Sequence, residues 1–526
     1  MNYIKHMHIE GFKKFYELDV QFNEHMNILV GENEAGKSTI LDAIRTVLNQ
    51  QYRNVDKAIL KDLFNVKMVE EFKANPSVKT LPWICIEIEL ELDVKQKNSE
   101  YFYGEVYGKK AKQVEKFGIT FECRFDQELG EGLEESVIDG KIPYEYYGFT
   151  WKTYANRPYK IIKRPLKFLS IDTTSNSAAP SFNYYNKALF TSRYDESVRM
   201  RAKNEFRDKL NEAIESVNLP PISTNQKFGV DSKKVVLESV LSVYENSIAL
   251  ENKGSGMESL IKTQIALDKT NGLDVIMMEE PENHLCFTNL NKMLQEISNN
   301  QNDSQIIVAT HNSMIASRLN LNNVLWIADE SVRSLNCVDS TVADFFVKAD
   351  NNAFLQLLLS KKIFLVEGAT EALLLPHFYS QLTGRSLEED GIVVISCNGI
   401  SYKKYLAIAN TTMKRLAVIT DNDQKQYRID RARQFNEKND LQHIFMGDTV
   451  EEWTWEKCVY DINREELDDV IQIKSGAKYL FHEKDYGVVL GKMLNNKVDT
   501  AYEMLISGKE FKIPQYVKDA IKWLNN

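Results

Sequence analysis

Residues 26–48 read MNILVGENEAGKSTILDAIRTVL, and this stretch decides the fold. A short apolar run ends at Gly31, the motif G-x4-G-K-S occupies residues 31–38, and apolar residues then recur at helical spacing. A buried strand, a glycine-rich turn and a helix, in this order, are typical of a phosphate-binding loop. Glycines let backbone N–H groups close around a phosphate, and the helix N-terminus adds positive potential.

The polar residues of this motif predict how a nucleotide would be bound. Lys37 can reach the β- and γ-phosphates of ATP, and the hydroxyl group of Ser38 can bind Mg2+. A chance glycine-rich turn is the alternative, and the preceding strand and following helix argue against it. The predicted ATP-binding residues of the motif are Gly31, Asn33, Gly36, Lys37, Ser38 and Thr39.

Acidic residues and a histidine follow two further apolar runs. The run 273–278 is predicted to be a strand buried on both faces, and Glu279 and Glu280 come directly after it. The first acid would face the water shell of the magnesium ion, and the second could orient the attacking water. The run 305–310 is followed by His311, which could sense the γ-phosphate. A solvated acidic turn and a structural histidine are the alternatives.

A fourth segment, KGSGMES at residues 253–259, places small residues at the start of a predicted helix, where they would form another anion nest. In this order the four segments resemble the ABC-type ATPase heads of the RecF and SMC class. The opening MHIEGFKKF and the stretch NILVGENEAGKSTILDAI are very close to that class. A long coiled-coil heptad tract is missing from the sequence, so a long-armed SMC protein is not expected.

The resemblance implies a head-to-head homodimer, or a higher homo-oligomer, that binds nucleotide between protomers. Lys37 of one protomer would share one ATP with Ser255 and Gly256 of the other. The roles that the resemblance implies for the remaining residues are Walker B acid for Glu279, catalytic glutamate for Glu280 and switch histidine for His311.

Between these segments the sequence predicts strands, helices and an insert. The predicted strands are 84–92, 118–125 and 159–171, and the predicted helices are 235–250 and 257–268. Residues 184–220 are charged, free of glycine and helix-prone, so we expect an inserted helical element there. Because it looks extraneous to both predicted domains, it is a plausible dimerisation surface.

A second α/β pattern begins after the first sheet. The predicted strands are 363–367, 392–396 and 415–420, and the helices between them are 370–382 and 402–413. Alternating strands and helices predict a parallel sheet with function at the strand C-termini. We therefore expect an ATPase domain over residues 1–350 and a second α/β domain over 351–526, with the boundary near 345–360.

Carboxylates are predicted to converge at the edge of this second sheet. Glu367 ends one strand, Glu371 lies in the first turn of the following helix, and Asp421 and Asp423 follow another strand. Oxygen-only ligands suit Mg2+ or Mn2+, and two such ions could bind the attacking and leaving oxygens of a phosphodiester. A solvated cluster of acidic residues is the alternative.

The pair VEGxxE and DND resembles the Toprim fold of topoisomerases, primases and OLD-family nucleases, and Asn398-Gly399 fits a Toprim loop. An ABC-type head followed by Toprim resembles the OLD (overcoming lysogenization defect) family, and is similar to the nuclease subunit of the Gabija anti-phage system. The stretch TVEEW matches the TLE-type motif of the family, with valine in place of leucine, which implies Glu451 as a further metal ligand. Lys497 aligns with a C-terminal family lysine and could stabilise the transition state.

Charge and cysteine content restrict the partners and the compartment. The net charge is −10, so DNA would have to bind to a local basic patch. Two candidate patches are 151–167, in which Trp151, Tyr154 and Tyr159 interleave with basic residues, and 425–438, which begins beside the DND turn. A solvated helix face and a sheet edge kept soluble by lysine are the alternatives. Six cysteines without a CxxC pair fit a reducing cytoplasm, and no apolar run is long enough to cross a membrane.

The sequence therefore predicts an ATP-regulated, divalent-metal-dependent DNA endonuclease. An anti-phage role and a helicase-like partner protein are implied by the family alone. The alternative is an ATP-dependent DNA-binding clamp or sensor whose Toprim-like domain is not catalytic. A topoisomerase or primase is a weaker third interpretation, since the chain lacks room for a strand-passage domain or a primase zinc module.

Overall fold

The computed structural model describes two compact units, Met1–Leu319 with Asn323–Ser334, and Asn320–Asn322 with Leu335–Asn526. It describes all residues except 96–97, 108–112, 127, 129–136, 138, 173–180, 218–219, 221, 224, 227, 230, 232–234, 269–271, 301–303, 329, 337–341, 343–352 and 398–400.

The first unit contains an antiparallel sheet and a mostly parallel sheet. Its strands are β1 (Tyr3–Phe12), β2 (Phe15–Gln21), β3 (Met26–Gly31), β4 (Ile84–Glu91), β5 (Tyr103–Tyr107), β6 (Gln113–Phe125), β7 (Tyr147–Thr153), β8 (Phe168–Asp172), β9 (Tyr244–Glu245), β10 (Ile248–Ala249), β11 (Val275–Glu279), β12 (Gln305–Thr310), β13 (Val324–Ala328) and β14 (Ser331–Ser334). The antiparallel sheet has the order β2-β1-β4-β6-β5, with β7 also paired to β6. The other sheet has the order β14-β13-β3-β12-β11-β8, in which β14 is antiparallel to β13.

The described part of this unit also contains helices. They are α1 (Lys37–Asn49), α2 (Leu60–Leu63), α3 (Val66–Ala74), α4 (Ser181–Arg193), α5 (Glu196–Ser216), α6 (Leu237–Val240), α7 (Ser255–Leu267), α8 (Phe287–Asn300) and α9 (Ser313–Arg318). Helices α4 and α5 fall in the segment predicted as a helical insert.

Helix α1 lies in the core between the sheets because one face of it is aliphatic. Ile40, Ile44 and Val47 are fully buried, and they share a hydrophobic cluster with Ile4 of β1 and Ile307 of β12. Complete burial of one such side chain contributes roughly 1.5–3 kcal/mol. This packing fixes the start of α1, and with it the phosphate-binding loop, against both sheets.

Two predicted elements differ from the observed ones. Of the predicted strand 159–171, only residues 168–171 form a strand, as part of β8, because residues 161–163 form a short 3-10 helix and Pro165 lacks the N–H that a ladder requires. The predicted helix 235–250 is instead the short helix α6 followed by the hairpin of β9 and β10. The hairpin turn uses left-handed backbone at Asn246 and Ser247, which a helix cannot include.

The second unit is built on a parallel sheet with the order β16-β15-β17-β18. Its strands are β15 (Lys362–Val366), β16 (Ile392–Ser396), β17 (Arg415–Ile419), β18 (Gln442–Phe445), β19 (Leu480–Phe481) and β20 (Lys484–Asp485). Its helices are α10 (Ala353–Leu359), α11 (Ala369–Thr383), α12 (Tyr402–Thr412), α13 (Gln426–Asn436), α14 (Trp455–Ile462), α15 (Arg464–Val470), α16 (Val488–Asn495), α17 (Lys497–Ile506) and α18 (Gln515–Asn525).

The core of this unit joins the sheet to its C-terminal helices. Trp455 of α14 is buried and stacks on Phe378 of α11, with ring centroids 5.9 Å apart. Val517 and Leu524 of α18 are fully buried in the same cluster. The residues after β18 therefore complete the domain core, and this packing holds α14 and α17 beside the functional edge of the sheet. Within the described part of the chain, no helix has both the length and the apolar character needed to cross a membrane.

Candidate functional site

The phosphate-binding loop connects the end of β3 to the start of α1. Gly36 caps the helix with a left-handed φ of 104°. A Cβ atom at this position would lie 2.3 Å from the ring of Phe15, so both the backbone angle and the close approach require glycine. The N–H groups that open α1 point into the loop, where they can bind an anion.

Lys37 is folded onto the loop that precedes it. Its amine donates hydrogen bonds to the carbonyl oxygens of Gly31, at 2.9 Å, and Glu32, at 3.1 Å. Burial lowers the pKa of Lys37, while the nearby glutamates at the end of β11 oppose this shift. Among the described residues, the amine of Lys37 donates its hydrogen bonds to backbone carbonyls, which a phosphate oxygen can replace as partners. Asn33 and Ser38 are exposed beside it, and Thr39 is buried.

The order of the strands brings the acids and the histidine to the same edge as the loop. Strand β12 lies between β3 and β11, and Ala309 is paired with Leu29 on one side and Glu279 on the other. Glu279 is buried and forms an ion pair with Arg45 of α1, at 3.3 Å. Arg45 also binds Asp42, at 2.7 Å. Sequence reasoning missed Arg45, which carries no motif signal.

Glu280 and His311 meet at this edge. The Oε1 atom of Glu280 lies 3.4 Å from Nδ1 of His311, and its Oε2 atom accepts a hydrogen bond from Asn283, at 2.9 Å. A third acid, Glu282, lies 3.8 Å from the same histidine nitrogen and accepts a hydrogen bond from Thr310. Burial raises the pKa of Glu282. Sequence reasoning missed this residue, although the acid-rich EEPE run contained it.

The segment with the small residues opens helix α7 and packs on the turn after β11. Gly254 caps the helix, Ser255 is exposed in its first turn, and a Cβ atom at Gly256 would lie 2.3 Å from the carbonyl oxygen of His284. Glycine at 256 is therefore required by packing. Within one protomer, the helix that carries this segment contacts the turn that carries the paired acids. The sharing of one ATP between protomers stays a prediction.

The acidic residues of the second unit gather where β15 and β17 end. The two strands are parallel neighbours with Val366 paired to Ile419, so Glu367 and Asp421 follow at the same edge. The Oε2 atom of Glu367 accepts hydrogen bonds from the hydroxyl of Thr420, at 2.7 Å, and from the backbone N–H of Asp421, at 3.1 Å. The predicted convergence of these two strand ends is observed.

One carboxyl group of this cluster, Glu371, is buried, and that of Asp421 is half-buried. Glu371 is 5% exposed, and its side chain accepts a hydrogen bond from the N–H of Gly368, at 3.1 Å. Burial, followed by the charge of Glu456, raises the pKa of Glu371 to about 7. Asp421 accepts a hydrogen bond from the N–H of Trp455, at 2.9 Å, and burial with the nearby glutamates raises its pKa to about 8. This concentration of carboxyl groups fits a divalent cation, which would remove the repulsion between them.

Glu456 and Lys497 complete the cluster. Glu456, in the first turn of α14, is 1% exposed and lies 3.0 Å from the amine of Lys497, at the start of α17. It also accepts a hydrogen bond from Thr454, at 2.6 Å. Burial alone would lower the pKa of Lys497, but the charge and hydrogen bond of Glu456, together with the charges of Asp421 and Glu371, raise it. Sequence reasoning missed Glu456, which lies five residues after Glu451 in the same acidic stretch.

The structure puts Glu451 and Asp423 in more exposed positions. Glu451 lies in the exposed turn before α14, and Asp423, with a left-handed φ of 51°, forms an ion pair with Arg428. None of the hydrogen bonds and ion pairs found among the described residues joins either carboxylate to Glu367, Glu371 or Glu456. The metal-binding roles of Glu451 and Asp423 therefore stay predictions, whereas the contacts favour Glu456.

Asn422, between the two aspartates, has a structural role. It is fully buried, and its amide nitrogen donates to the carbonyl oxygens of Gly447, at 3.2 Å, Thr449, at 2.8 Å, and Glu452, at 3.0 Å. One side chain thus fixes the turn after β18 against the turn after β17. Because that turn leads into α14, Asn422 also positions Glu456.

The two basic patches differ in their surroundings. In the first, Trp151 and Tyr159 are buried and donate hydrogen bonds to the carbonyl oxygens of Thr46 and Leu48, at 3.0 and 2.9 Å. Burial also raises the pKa of Tyr154. These aromatic rings belong to the core of the first unit, so they are not a base-stacking surface.

The second patch lies on α13, and its Arg428 lines a cavity of about 260 Å³ together with Glu367 of the acidic cluster. The cavity is also lined by Cys397, Ser401, Tyr402 and Thr420. Cationic and anionic groups thus share one wall, which suits a phosphate bound beside a metal. The predicted loop residues Asn398-Gly399 lie outside the described residues.

Comparison with models of protein families finds a matching family for each of the two units. The model of the AAA domain matches residues 6–314, which is more than half of the chain. The chain belongs to the AAA domain family. The model of the overcoming lysogenization defect protein-like TOPRIM domain matches residues 358–423 of this AAA-domain protein. The predicted α/β fold, an ATPase head followed by a Toprim domain, and the resemblance to the OLD family are confirmed. An AAA domain is thus followed by an OLD-like TOPRIM domain in one chain.

Curated relatives of this AAA-domain protein match over short segments. The DNA replication and repair protein RecF of Clostridium kluyveri is 34% identical over 82 residues, covering 12% of this chain and 22% of that protein. RecF of Clostridium acetobutylicum is 36% identical over 61 residues, covering 11% of this chain and 17% of that protein. The chain therefore spans about a fifth of the length of these relatives.

Solved structures are similar at low identity. An SMC head bound to the C-winged helix domain of ScpA has a TM-score of 0.33 and 14% identity, covering 64% of this chain and 99% of that one. RecF with ATP has a TM-score of 0.34 and 12% identity, and the match covers 64% of this chain and 98% of the RecF chain. The C-terminal region of the Xanthomonas campestris pv. campestris OLD protein has a TM-score of 0.25 and 17% identity. The match covers 32% of this chain and 92% of that one.

Proposed function

We propose that this protein is an ATP-regulated, divalent-metal-dependent DNA endonuclease that acts in anti-phage defence. The observation that carries the proposal is the convergence of exposed Glu367, buried Glu371 and half-buried Asp421 at one sheet edge, with the Glu456–Lys497 ion pair beside them. Nearby carboxyl groups repel one another, and the raised pKa values of Glu371 and Asp421 support the proposal that this edge binds a cation.

The donor set of the cluster suits Mg2+ or Mn2+, because carboxylate oxygens are the ligands these ions prefer. Glu367, Glu371 and Asp421 would hold them, with Asp423 and Glu451 as further predicted ligands. When bound, such ions supply activation of the attacking water and neutralisation of charge on the phosphodiester.

The other residues of the site position the scissile phosphate. Lys497 carries a positive charge whose pKa is raised, so it is charged at neutral pH and can stabilise a developing negative charge. Glu456 holds this amine at 3.0 Å and limits its motion. Arg428, in the wall of the cavity beside Glu367, is suited to bind a neighbouring phosphate of the strand without reading its base.

The ATPase head is proposed to regulate cleavage. The N–H groups that open α1, the amine of Lys37 and the Ser38 hydroxyl fit the triphosphate and its Mg2+. Glu279, Glu280 and His311 lie at the same sheet edge as the phosphate-binding loop, as γ-phosphate hydrolysis requires. We propose a homodimer with Ser255 and Gly256 of one protomer against the ATP of the other, and α4–α5 as a further dimer surface.

The test is a plasmid assay on the full chain. Supercoiled DNA is incubated with Mg2+ or Mn2+ and a titration of ATP, and nicked and linear products are measured. We expect metal-dependent nicking by the wild type and its loss in Asp421→Asn, whereas exposed Asp469→Asn retains activity. An intact plasmid with the wild type under every metal and nucleotide condition would favour an ATP-dependent DNA-binding clamp instead. A helicase-like partner is proposed on the family resemblance alone.

A further inference from the structure

A group of imidazoles and carboxylates lies on the outer face of the antiparallel sheet in the first unit. His6, His8 and Glu10 alternate along β1 with the buried residues Met7 and Ile9, so all three point away from the core. The sheet register places Asp19 of β2 opposite His8, and Glu17 opposite Glu10. Neighbouring strands thus place side by side nitrogen and oxygen atoms that can act as metal ligands.

The distances within this group are short. Nδ1 of His8 lies 2.9 Å from Oδ1 of Asp19, and Nε2 of His8 lies 3.1 Å from Oε1 of Glu10. Nε2 of His6 lies 3.2 Å from the same Asp19 oxygen. One donor atom each from His8, Glu17 and Asp19 lies within 4.8 Å of the other two, the one such group found among the described residues.

We propose that His8, Glu17 and Asp19 form a Zn2+ site, with His6 as an additional ligand, separate from the nucleotide site and the acidic cluster. Zn2+ binds histidine nitrogen and carboxylate oxygen at about 2.0–2.2 Å, so ligand atoms around one ion lie about 3–4 Å apart. Small side-chain rotations bring the observed atoms to that spacing. Backbone rearrangement is not needed, because the paired strands already fix the positions of the Cβ atoms.

The donor set selects the metal. Imidazole suits Zn2+, whereas Mg2+ prefers oxygen ligands and water. The site therefore differs in kind from the oxygen-only cluster of the second unit. A further carboxyl group is close by, since Glu87 of β4 lies opposite His8 on the third strand. The negative charge of Glu89 is balanced by an ion pair with Lys116.

The position of the site gives the metal a structural consequence. A bound ion would crosslink β1 to β2 a few residues from their connecting turn. That turn contacts the phosphate-binding element, because Phe15 packs against Gly36 and Lys13 forms an ion pair with Asp42 of α1. Zn2+ would therefore stabilise the hairpin against which the phosphate-binding loop packs.

The test is a Zn2+ titration of the full chain, competed against a chromophoric chelator, with millimolar Mg2+ present to occupy oxygen-only sites. We expect wild type to bind one more Zn2+ per chain than His8→Ala, or to bind it about tenfold or more tightly. Substitution of Co2+ should give visible absorption bands in wild type that His8→Ala lacks.

Two further variants keep the result interpretable. Asp19→Asn changes an exposed side chain, so it should fold normally and lose the same Zn2+ equivalent. His482→Ala removes an exposed histidine of the second unit and should bind as wild type does. Equal stoichiometry and affinity in wild type, His8→Ala and Asp19→Asn would overturn the site and leave an ordinary ion-pair cluster. That result would not affect plasmid nicking, which tests the proposed nuclease separately.

Discussion

At the scale of single residues, the carboxyl group of Asp421 couples stability to pH. Its pKa of about 8 in the folded chain lies above its ordinary value of 3.8, so the folded state holds this proton more tightly than the unfolded state. Without divalent metal, the chain should therefore lose stability as pH rises between these two values. Asp421→Asn should be more stable than wild type by roughly 1–3 kcal/mol near pH 8 and similar to it near pH 4.

Thermal unfolding in a metal chelator, followed over this pH range, measures the difference. The matched control is Asp469→Asn, whose carboxylate is exposed and should follow the wild-type curve. If Asp421→Asn were less stable than wild type at high pH, the carboxylate would be contributing to the fold and the metal site would lose its main support.

Variants of two glutamates, Glu456 and Glu451, test which of them contributes to DNA nicking by the acidic cluster. Glu456 is buried against Lys497, whereas Glu451 is exposed. Glu456→Gln removes the charge that raises the pKa of Lys497 and should reduce the nicking rate by roughly 100-fold, a loss typical of removing an electrostatic contact at a reacting group. Glu451→Gln should cost less than about tenfold. Initial rates of plasmid nicking at saturating Mn2+ measure both, and a larger loss in Glu451→Gln would restore the prediction made from the sequence.

The sequence located some of these residues and missed others for a physical reason. The positions of Lys37, Glu279 and Asp421 were predictable because each lies at or shortly after the end of a strand in a recognisable local pattern, whereas their roles stay predictions. Arg45 and Glu456 were not, because each reaches its partner only through tertiary packing. Arg45 lies 234 residues from Glu279, and Glu456 lies 41 residues from Lys497. A sequence motif gives the spacing of residues along the chain. It does not show which face of a helix packs toward a carboxylate that is distant in the sequence.

At the scale of elements, the contact between helix α7 and the turn after β11 depends on one glycine. A Cβ atom at Gly256 would lie 2.3 Å from the carbonyl oxygen of His284, so Gly256→Ala must displace the helix or the turn. We expect a loss of roughly 1–3 kcal/mol in the free energy of unfolding. Gly254→Ala is the matched control, because no atom lies within 4 Å of its added methyl group and its φ of −61° suits alanine.

Urea denaturation of the three proteins measures the change, and ATP hydrolysis reports on the acids in the displaced turn. Gly256→Ala should lose both stability and hydrolysis, whereas Gly254→Ala should retain both. Equal stability of the two variants would mean that the helix is not packed on this turn in solution.

Elements with one strong periodicity were predictable, and elements shaped by turns were not. The buried runs that became β11, β12 and β17 were found because a parallel strand is apolar on both faces. The stretch 159–167 was predicted as part of a strand over 159–171. In the structure Tyr159 is instead a core residue that bonds to helix α1 across an irregular segment.

At the scale of the whole molecule, the chain combines a nucleotide-binding head with a Toprim domain, and each unit has its own core. Separate cores allow each site to be disabled without unfolding the other. Lys37→Ala should therefore leave metal binding by the acidic cluster unchanged, and Asp421→Asn should leave ATP binding unchanged. Because each site can be disabled separately, the effect of ATP binding on DNA cleavage can be measured while both sites are intact.

Dimerisation is the final whole-molecule prediction. If ATP is sandwiched between two heads, a variant that binds ATP without hydrolysing it should accumulate as a dimer. Glu280→Gln is that variant, because it keeps the hydrogen bond to Asn283 in reach but loses the charge that meets His311. Sedimentation velocity should show an ATP-dependent dimer of Glu280→Gln, and addition of Lys37→Ala should abolish it together with ATP binding.

The decisive control separates binding from assembly. Ser255 is exposed at the start of α7, where a bulky cation would block a facing protomer and leave the phosphate-binding loop of its own chain intact. Addition of Ser255→Arg to Glu280→Gln should therefore preserve ATP binding and prevent the dimer. A dimer that persists in this double variant would place the contact elsewhere, with α4 and α5 as the next surface to test. An absence of any ATP-dependent dimer in Glu280→Gln would reject the sandwich itself.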